Sequence, residues 1–246
     1  MNIQTLFADE YNRRSRLAPA LFALFPAIVC AAVWLPDIYK FGTSIITIAI
    51  ACDFLLFLAN ISRELGKNRQ GALYEKWNGR PTTRFLRHHD NTINKHTQKR
   101  YHSFLATTDA QLPMPTADDE ANDPDAADDV YEAKVDWLVA QTRDKKVFAA
   151  LFEENVTYGY RRNMLGMKPI GIVISVASLF GCLFGIYLTG AWKGPVKLAT
   201  VCVNAFALGL WMLVVTEAWV KSAGDEYAKR LLAGCDVLSK QTNSRG

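Results

Sequence analysis

Four long apolar stretches constrain what this chain can fold into. Residues 17–36 and 170–192 contain no charged residue, and residues 41–61 and 198–220 contain a single acidic residue each. An α-helix of about 20 apolar residues crosses the hydrocarbon core of a bilayer. The sequence therefore predicts an all-α fold with four transmembrane helices arranged as two hairpins in a lipid bilayer. A cleaved signal peptide over the first stretch and buried helices of a soluble protein are the alternatives.

The positions of lysine and arginine predict the orientation of these helices. Three arginines precede the first stretch, seventeen lysines and arginines lie between Arg63 and Lys168, and five follow the last stretch. Because positive residues stay on the cytoplasmic side, we expect a bacterial inner-membrane protein with both termini cytoplasmic. The predicted order is an interfacial N-terminal helix at 1–16, a transmembrane hairpin at 17–61, a cytoplasmic helical domain at 62–168, a second hairpin at 169–220 and a cytoplasmic C-terminal helix at 221–246.

The region between the two hairpins divides by charge. Residues 62–105 carry ten lysines and arginines, whereas residues 106–136 carry ten acidic residues and one lysine. A composition rich in proline, aspartate and alanine is typical of solvated segments, so residues 106–130 are expected to form an acidic loop. In the basic half, Thr83 is expected to cap a helix that continues to Leu105.

The basic half contains the candidate ligand-binding residues. On one helix, its arginines and histidines would form a strip that could hold phosphates, lie on anionic lipid headgroups or pair with the acidic residues that follow. A tight turn at Asn78, followed by hydroxyl and guanidinium groups, favours a phosphorylated ligand such as a nucleotide. A second basic element beside the third apolar stretch could join this site or anchor headgroups. The candidates are Arg80, Thr82, Thr83, Arg84, Arg87, His88, Arg161, Arg162 and Asn163.

Two groups of residues inside the apolar stretches are further candidates. Asp53 is costly in a bilayer unless it is protonated, paired or exposed to water, so with Asn204 it either lines an ion path or forms an interhelical hydrogen bond. Ala177, Gly181 and Gly185 recur at intervals of four residues. This spacing is typical of close helix packing, either within one chain or between the subunits of a homo-oligomer.

The remaining residue types indicate neither an enzyme nor a metalloprotein. The five cysteines form no CxxC pair, and His89 and His96 lack the companion ligands of a zinc site. No nucleophile elbow, Walker motif or dinucleotide fingerprint occurs. We therefore expect no catalytic residue, no metal and no cofactor.

Four motifs together carry a resemblance to known proteins. They are "YEKWNGRPTTRFLRHHD" at 74–90, "RYHSFL" at 100–105, "TRD" at 142–144 and "ENVTYGYRRNMLG" at 154–166. With them the chain resembles a little-characterised family of bacterial four-span proteins, and its organisation resembles the four-span membrane effectors of nucleotide-signalling anti-phage systems. The resemblance implies a signal-responsive membrane effector, and it assigns no residue a role. The leading hypothesis is an oligomer whose cytoplasmic domain senses a phosphorylated ligand or a partner and opens a pore in the four-span bundle. The alternative is a membrane scaffold that recruits a cytoplasmic protein partner.

Overall fold

The elements of this chain are helices throughout the described residues, which confirms the all-α class. The computed structural model describes residues 7–35, 45–190 and 194–243, with side chains at 7–35, 51–190 and 194–241. In chain order the helices are α1 Glu10–Trp34, α2 Ile45–Lys76, α3 Pro81–Arg84, α4 Lys95–Ala106, α5 Ala117–Asn122, α6 Pro124–Gln141, α7 Ala149–Thr189, α8 Pro195–Val214 and α9 Glu217–Asn243.

Three of these helices, α1, α7 and α8, are long and apolar enough to cross a membrane. Their surfaces expose large apolar side chains, among which Phe180, Tyr187 and Leu213 are 69%, 72% and 80% exposed. Such surfaces suit acyl chains rather than water, and the chain is a membrane protein. The predicted second span, 41–61, lies partly outside the described residues, so four spans and the two-hairpin arrangement remain predictions.

The fourth apolar stretch does not form one continuous helix, although we expected it to. Helix α8 ends at Val214, and α9 begins at Glu217. Between them Thr216 caps α9, because its hydroxyl accepts a hydrogen bond from the Trp219 N–H at 3.2 Å and its carbonyl accepts one from Val220 at 3.2 Å. Apolar character alone gave no sign of this turn.

The start of α1 also differs from the prediction of a separate interfacial helix at 1–16. Residues 1–6 lie outside the described part, and from Glu10 the backbone continues without interruption into the apolar helix. A π-helical turn at Arg13–Leu17 lies within it, where the Ala18 N–H bonds the carbonyl of Arg13. This wider turn stands beside Pro19, which has no N–H to donate to the helix.

The basic half does not form the single helix that we expected from Thr83. It forms the short helix α3 and then, after turns, the helix α4. Helix α4 has its own cap, because the side chain of Asn94 accepts a hydrogen bond from the His96 N–H at 2.9 Å. The Asp90 carboxylate accepts another from the Thr92 N–H at 2.7 Å, a local bond that competes with helix formation.

The acidic half is also more regular than the loop predicted over 106–130. Helix α5 begins with a reciprocal capping box in which Thr116 and Asp119 each bond the other's backbone N–H. Helix α6 begins with Pro124 in its first turn, and Asp123 accepts a hydrogen bond from the Ala126 N–H at 3.0 Å. Five of the acidic side chains that suggest a loop, Asp118, Asp119, Glu120, Asp123 and Asp125, are therefore helix caps or first-turn residues, where negative charge is favourable.

The chain divides into two compact units. The membrane unit comprises Met1–Gly71 and Val156–Val220, and the polar unit comprises Ala72–Asn155 and Lys221–Gly246. Helices α2, α7 and α9 each have residues in both units. The polar unit has a hydrophobic core of its own, which includes Phe85, Leu86, Tyr101, Leu105, Tyr131, Val135, Leu138, Leu231 and Leu232.

In the membrane unit, α2 and α7 cross at a pair of glycines. A Cβ atom on Gly166 would overlap the backbone of Leu65 and Gly66, and one on Gly66 would overlap Asn163. The absence of side chains lets the two helix backbones approach closely. The sequence pattern did not predict this crossing, because neither glycine belongs to the four-residue repeat of Ala177, Gly181 and Gly185.

Candidate functional site

An open cleft of about 600 Å³ lies in the polar unit, between the turns of the basic half and the first turns of α5 and α6. It combines cationic, acidic and imidazole side chains in one place. Its lining residues are Asn78, Arg87, His88, His89, Ala117, Glu120, Ala121, Pro124, Asp125 and Asp128.

Arg87 is the arginine of this cleft, and its side chain is partly buried. Its Nε and Nη2 atoms donate to the two carboxylate oxygens of Asp128, at 2.8 and 2.5 Å, and its Nη1 donates to the carbonyl of Asn78 at 2.7 Å. The hydrogen bond to Asp128 raises the pKa of the guanidinium above its ordinary value. The guanidinium of Arg87 thus presents two parallel N–H donors, and the carboxylate of Asp128 accepts both of them.

The turn at Asn78 and Gly79 shapes the place where Arg87 lies. Asn78 has a φ of 60° and Gly79 a φ of 113°, both in the left-handed region that favours these residues. A Cβ on Gly79 would stand 2.7 Å from the Nη2 atom of Arg87. Gly79 therefore supplies both the backbone conformation and the space for the guanidinium, as the tight turn in the sequence suggested.

Glu120 is the buried carboxylate of the cleft, with a side chain only 7% exposed. It accepts hydrogen bonds from the His88 N–H at 2.7 Å, the Tyr131 hydroxyl at 2.8 Å and the Nδ1 atom of His89 at 2.7 Å. Burial alone would raise the pKa of Glu120, but these three hydrogen bonds lower the pKa below its ordinary value. Glu120 therefore remains charged and orients the groups that surround it.

His89 is the exposed imidazole of the cleft, and its side chain is 67% exposed. Since a carboxylate can only accept, the Nδ1 atom of His89 donates to Glu120, which leaves the Nε2 atom without a partner among the described residues. The buried carboxylate of Glu120 therefore fixes the orientation of an exposed imidazole in the cleft that Arg87 also lines. The sequence pattern gave no indication of this role, because it paired His89 only with His96, as two members of an incomplete zinc site.

His88, a predicted ligand-binding residue, lines the cleft, and its ring also makes contacts within the polar unit. Its Nε2 atom lies 3.0 Å from the carbonyl of Pro115, and its ring packs edge-on against His102 with 4.8 Å between ring centres. Burial lowers the pKa of His102, whose Nε2 atom lies 2.7 Å from the carbonyl of Leu86. The backbone N–H of His88, rather than its ring, donates the hydrogen bond to Glu120.

The other candidates from the basic half do not converge on one point. Arg80 pairs with Asp136 at 3.0 Å, and Arg84 pairs with Asp225 at 3.0 Å while Asp90 lies 3.6 Å away. Thr82 and Thr83 are buried, and their hydroxyls find no hydrogen-bond partner within the described part of the chain. The predicted single strip fails because residues 85–94 form turns, so each arginine points to a different carboxylate.

Arg161, Arg162 and Asn163 belong to the membrane unit. Arg161 donates to the carbonyl of Trp219 at 3.0 Å and lies over its indole ring. Arg162 is buried and donates to Gln70 at 3.1 Å and to the side-chain oxygen of Asn163 at 3.3 Å, while Asn163 donates to the carbonyl of Ser15 at 2.7 Å. These bonds join α1, α2 and α7 beside the glycine crossing.

The candidates within the apolar stretches lie in different environments. Asp53 is exposed and has no hydrogen bond or ion pair to any described residue, whereas Asn204 is buried and donates to the Thr200 carbonyl of its own helix at 2.8 Å. Of the small residues, Gly185 packs on Trp34, where a Cβ would come within 2.7 Å of the ring. Gly181 faces open space, and Ala177 is likewise exposed.

The fold and the cleft define a class, a helical membrane protein with a polar unit that holds an open, charged cleft. No protein-family model, curated protein or solved structure matches the chain.

Proposed function

We propose that this protein is a signal-responsive membrane effector whose polar unit binds a phosphorylated ligand in the Arg87 cleft. The observation that supports the proposal most directly is the Arg87–Asp128 pair, a guanidinium fork held by a single carboxylate at the wall of an open cleft. A phosphate group also presents two oxygens that can accept both N–H bonds of a guanidinium, and it carries more charge than a carboxylate, so it can replace Asp128 on Arg87. The exposed Nε2 atom of His89 would then supply a further hydrogen bond.

Displacement of Asp128 gives the ligand a means of changing the protein. Asp128 lies in the second turn of α6, and its bond to Arg87 ties that helix to the turns of the basic half. A ligand that binds only when this tie is open favours the open arrangement by its differential affinity. Because α2, α7 and α9 have residues in both units, a shift of the polar unit has three continuous helices along which to act.

In this proposal the protein has four spans with both termini in the cytoplasm of a bacterial inner membrane. The second span carries Asp53, and several copies assemble so that ligand binding opens a pore, as in the anti-phage effectors that the chain resembles. The exposed carboxylate of Asp53 supports the assembly, because a charge that faces acyl chains is costly and a second copy or a water-filled path removes that cost.

Binding of inorganic pyrophosphate to the full chain in detergent micelles tests the site, followed by a panel of nucleotides. We expect Arg87→Gln to weaken binding about tenfold or more through loss of charge-assisted hydrogen bonds. Asp128→Asn removes the competing carboxylate and should strengthen binding. Asp236→Asn is the matched control, since Asp236 forms a similar two-bond pair with Arg100 outside the cleft, at 2.7 and 2.9 Å.

Two results would overturn the site. One is the absence of binding by both the wild type and Asp128→Asn across the panel, and the other is equal binding by Arg87→Gln and the wild type. Release of a trapped dye from vesicles that contain the protein tests the pore separately. Ligand binding without dye release would leave a sensor that does not open the bilayer.

The alternative function is a membrane scaffold that recruits a basic protein partner. It has an observation of its own, an acidic strip along α6. Asp125, Asp129, Glu132 and Asp136 are exposed and recur at intervals of three and four residues, so they share one face of the helix. A scaffold would bind a cationic peptide through this strip, and the charge-reversed double variant Asp129→Lys with Glu132→Lys would abolish that binding while leaving pyrophosphate binding intact.

A further inference from the structure

A second cleft, of about 510 Å³, lies in the membrane unit at one end of the apolar segments. It is formed by α2, α7 and the turn between α8 and α9. Its lining residues are Arg69, Leu165, Lys168, Pro169, Thr216, Glu217 and Ala218.

The cleft lies at the level where apolar sequence gives way to charge. Lys168 is the last charged residue before the apolar stretch of α7, and Glu217 is the first charged residue after that of α8. The Nζ atom of Lys168 donates to the carbonyl of Val215 at 2.8 Å, so these two boundaries are in direct contact. In a bilayer this level is that of the lipid headgroups.

The cleft offers cations that the protein itself does not fully use. Arg69 is exposed and makes no hydrogen bond or ion pair with any described residue. Lys168 is held in place by the carbonyl oxygens at the end of α8, and an ammonium has three N–H donors, so it keeps one for a ligand. Glu217 supplies the opposing charge at the rim, which leaves two cations against one anion.

Apolar surface continues from this cleft toward the centre of the bilayer. Val173 lies one helical turn beyond Pro169 on the same face of α7 and is 67% exposed. Leu213 precedes Thr216 by three residues and is the most exposed large apolar side chain of the described residues, at 80%. A molecule with a phosphate at one end and acyl chains at the other matches a cationic cleft that is followed by exposed apolar side chains.

We propose that this cleft is a binding site for an anionic phospholipid, whose headgroup phosphate is held by Arg69 and Lys168 and whose acyl chains lie along Val173 and Leu213. The excess of cations favours an anionic headgroup over a zwitterionic one. The site is separate from the Arg87 cleft, because all of its residues belong to the membrane unit. It therefore stands whether or not the polar unit binds a phosphorylated ligand.

Native mass spectrometry of the full chain, released from micelles with equal amounts of phosphatidylglycerol and phosphatidylcholine, tests the proposal. We expect the wild type to retain phosphatidylglycerol preferentially and Arg69→Gln to reduce this preference about tenfold, as loss of a charge-assisted hydrogen bond predicts. Lys67→Gln is the matched control, since Lys67 is an exposed cation two residues away on α2 that does not line the cleft. Lys168→Arg keeps the cation and should keep the preference.

Three results would overturn the site. Equal retention of both lipids by the wild type would show that the headgroup charge is not recognised. An equal loss in Lys67→Gln and Arg69→Gln would show that only general surface charge attracts the lipid. Displacement of the retained lipid by millimolar glycerol 3-phosphate would show that a free phosphate, rather than a lipid, is the preferred occupant.

Discussion

Replacement of Glu120 tests the network that organises the cleft of the polar unit. Glu120→Ala would leave the His88 N–H and the Tyr131 hydroxyl without their acceptor in a buried place. An unsatisfied buried donor costs about 1–3 kcal/mol, so two of them give a loss of about 4 kcal/mol. Glu120→Gln keeps one carbonyl oxygen for these two donors but loses the charge, and His89 can change its tautomer to bond the amide. We therefore expect Glu120→Gln to lower the free energy of unfolding by about 2 kcal/mol.

Hydrogen exchange followed by mass spectrometry measures this loss in the full chain, because it reports the opening of each segment separately. A loss of about 2 kcal/mol raises the exchange rate in α4 and α6 about 30-fold, and Glu120→Ala should raise it further. Glu132→Gln is the control, since Glu132 lies exposed on α6 and has no hydrogen bond to a described residue. Equal exchange in Glu120→Ala, Glu120→Gln and the control would refute the reasoning.

The same network predicts how the polar unit responds to acid. The pKa of Glu120 is lower in the folded state than its ordinary value of 4.5, so the unfolded state binds the proton more readily and stability falls as the pH drops below about 4.5. Burial lowers the pKa of His102 from 6.5, so its contribution is likewise lost as the pH falls below about 6.5. Glu120→Gln should remove the first loss and leave the second, and an unchanged acid profile in the variant would contradict the assignment.

Three further predictions concern the membrane unit and its orientation. Gly166→Ala should reduce the yield of folded protein, because the added methyl group would overlap the backbone of α2. Gly181→Ala should leave the yield unchanged, because its methyl group would meet no atom of another described helix within 4 Å. Size-exclusion profiles of equal quality for the two variants would contradict this prediction. Asp53→Asn should lower dye release from vesicles without altering insertion, and unchanged release would remove Asp53 from the path. Reporter fusions should read outside at Tyr39 and inside at Ala117, and an outside reading at Ala117 would reverse the topology.

The sequence by itself determined where the chain meets the membrane. A helix in a bilayer satisfies its own backbone hydrogen bonds and needs only a sufficient length of apolar side chains, so this property can be read from the chain one segment at a time. The first, third and fourth apolar stretches accordingly correspond to α1, α7 and α8. The apolar pattern did not predict the turn at Thr216, because this turn is stabilised by the Thr216 cap and by a hydrogen bond from Lys168 of another helix.

The tertiary structure alone decided which charges meet. Arg87 finds Asp128 at a separation of 41 residues, and Arg84 finds Asp225 at a separation of 141. A sequence shows that the basic and acidic halves can pair, but the choice of partners depends on turns set by Asn94, Thr116 and other local bonds. The glycine crossing of α2 and α7 has the same origin, since the space that excludes a Cβ exists only once two helices are packed together.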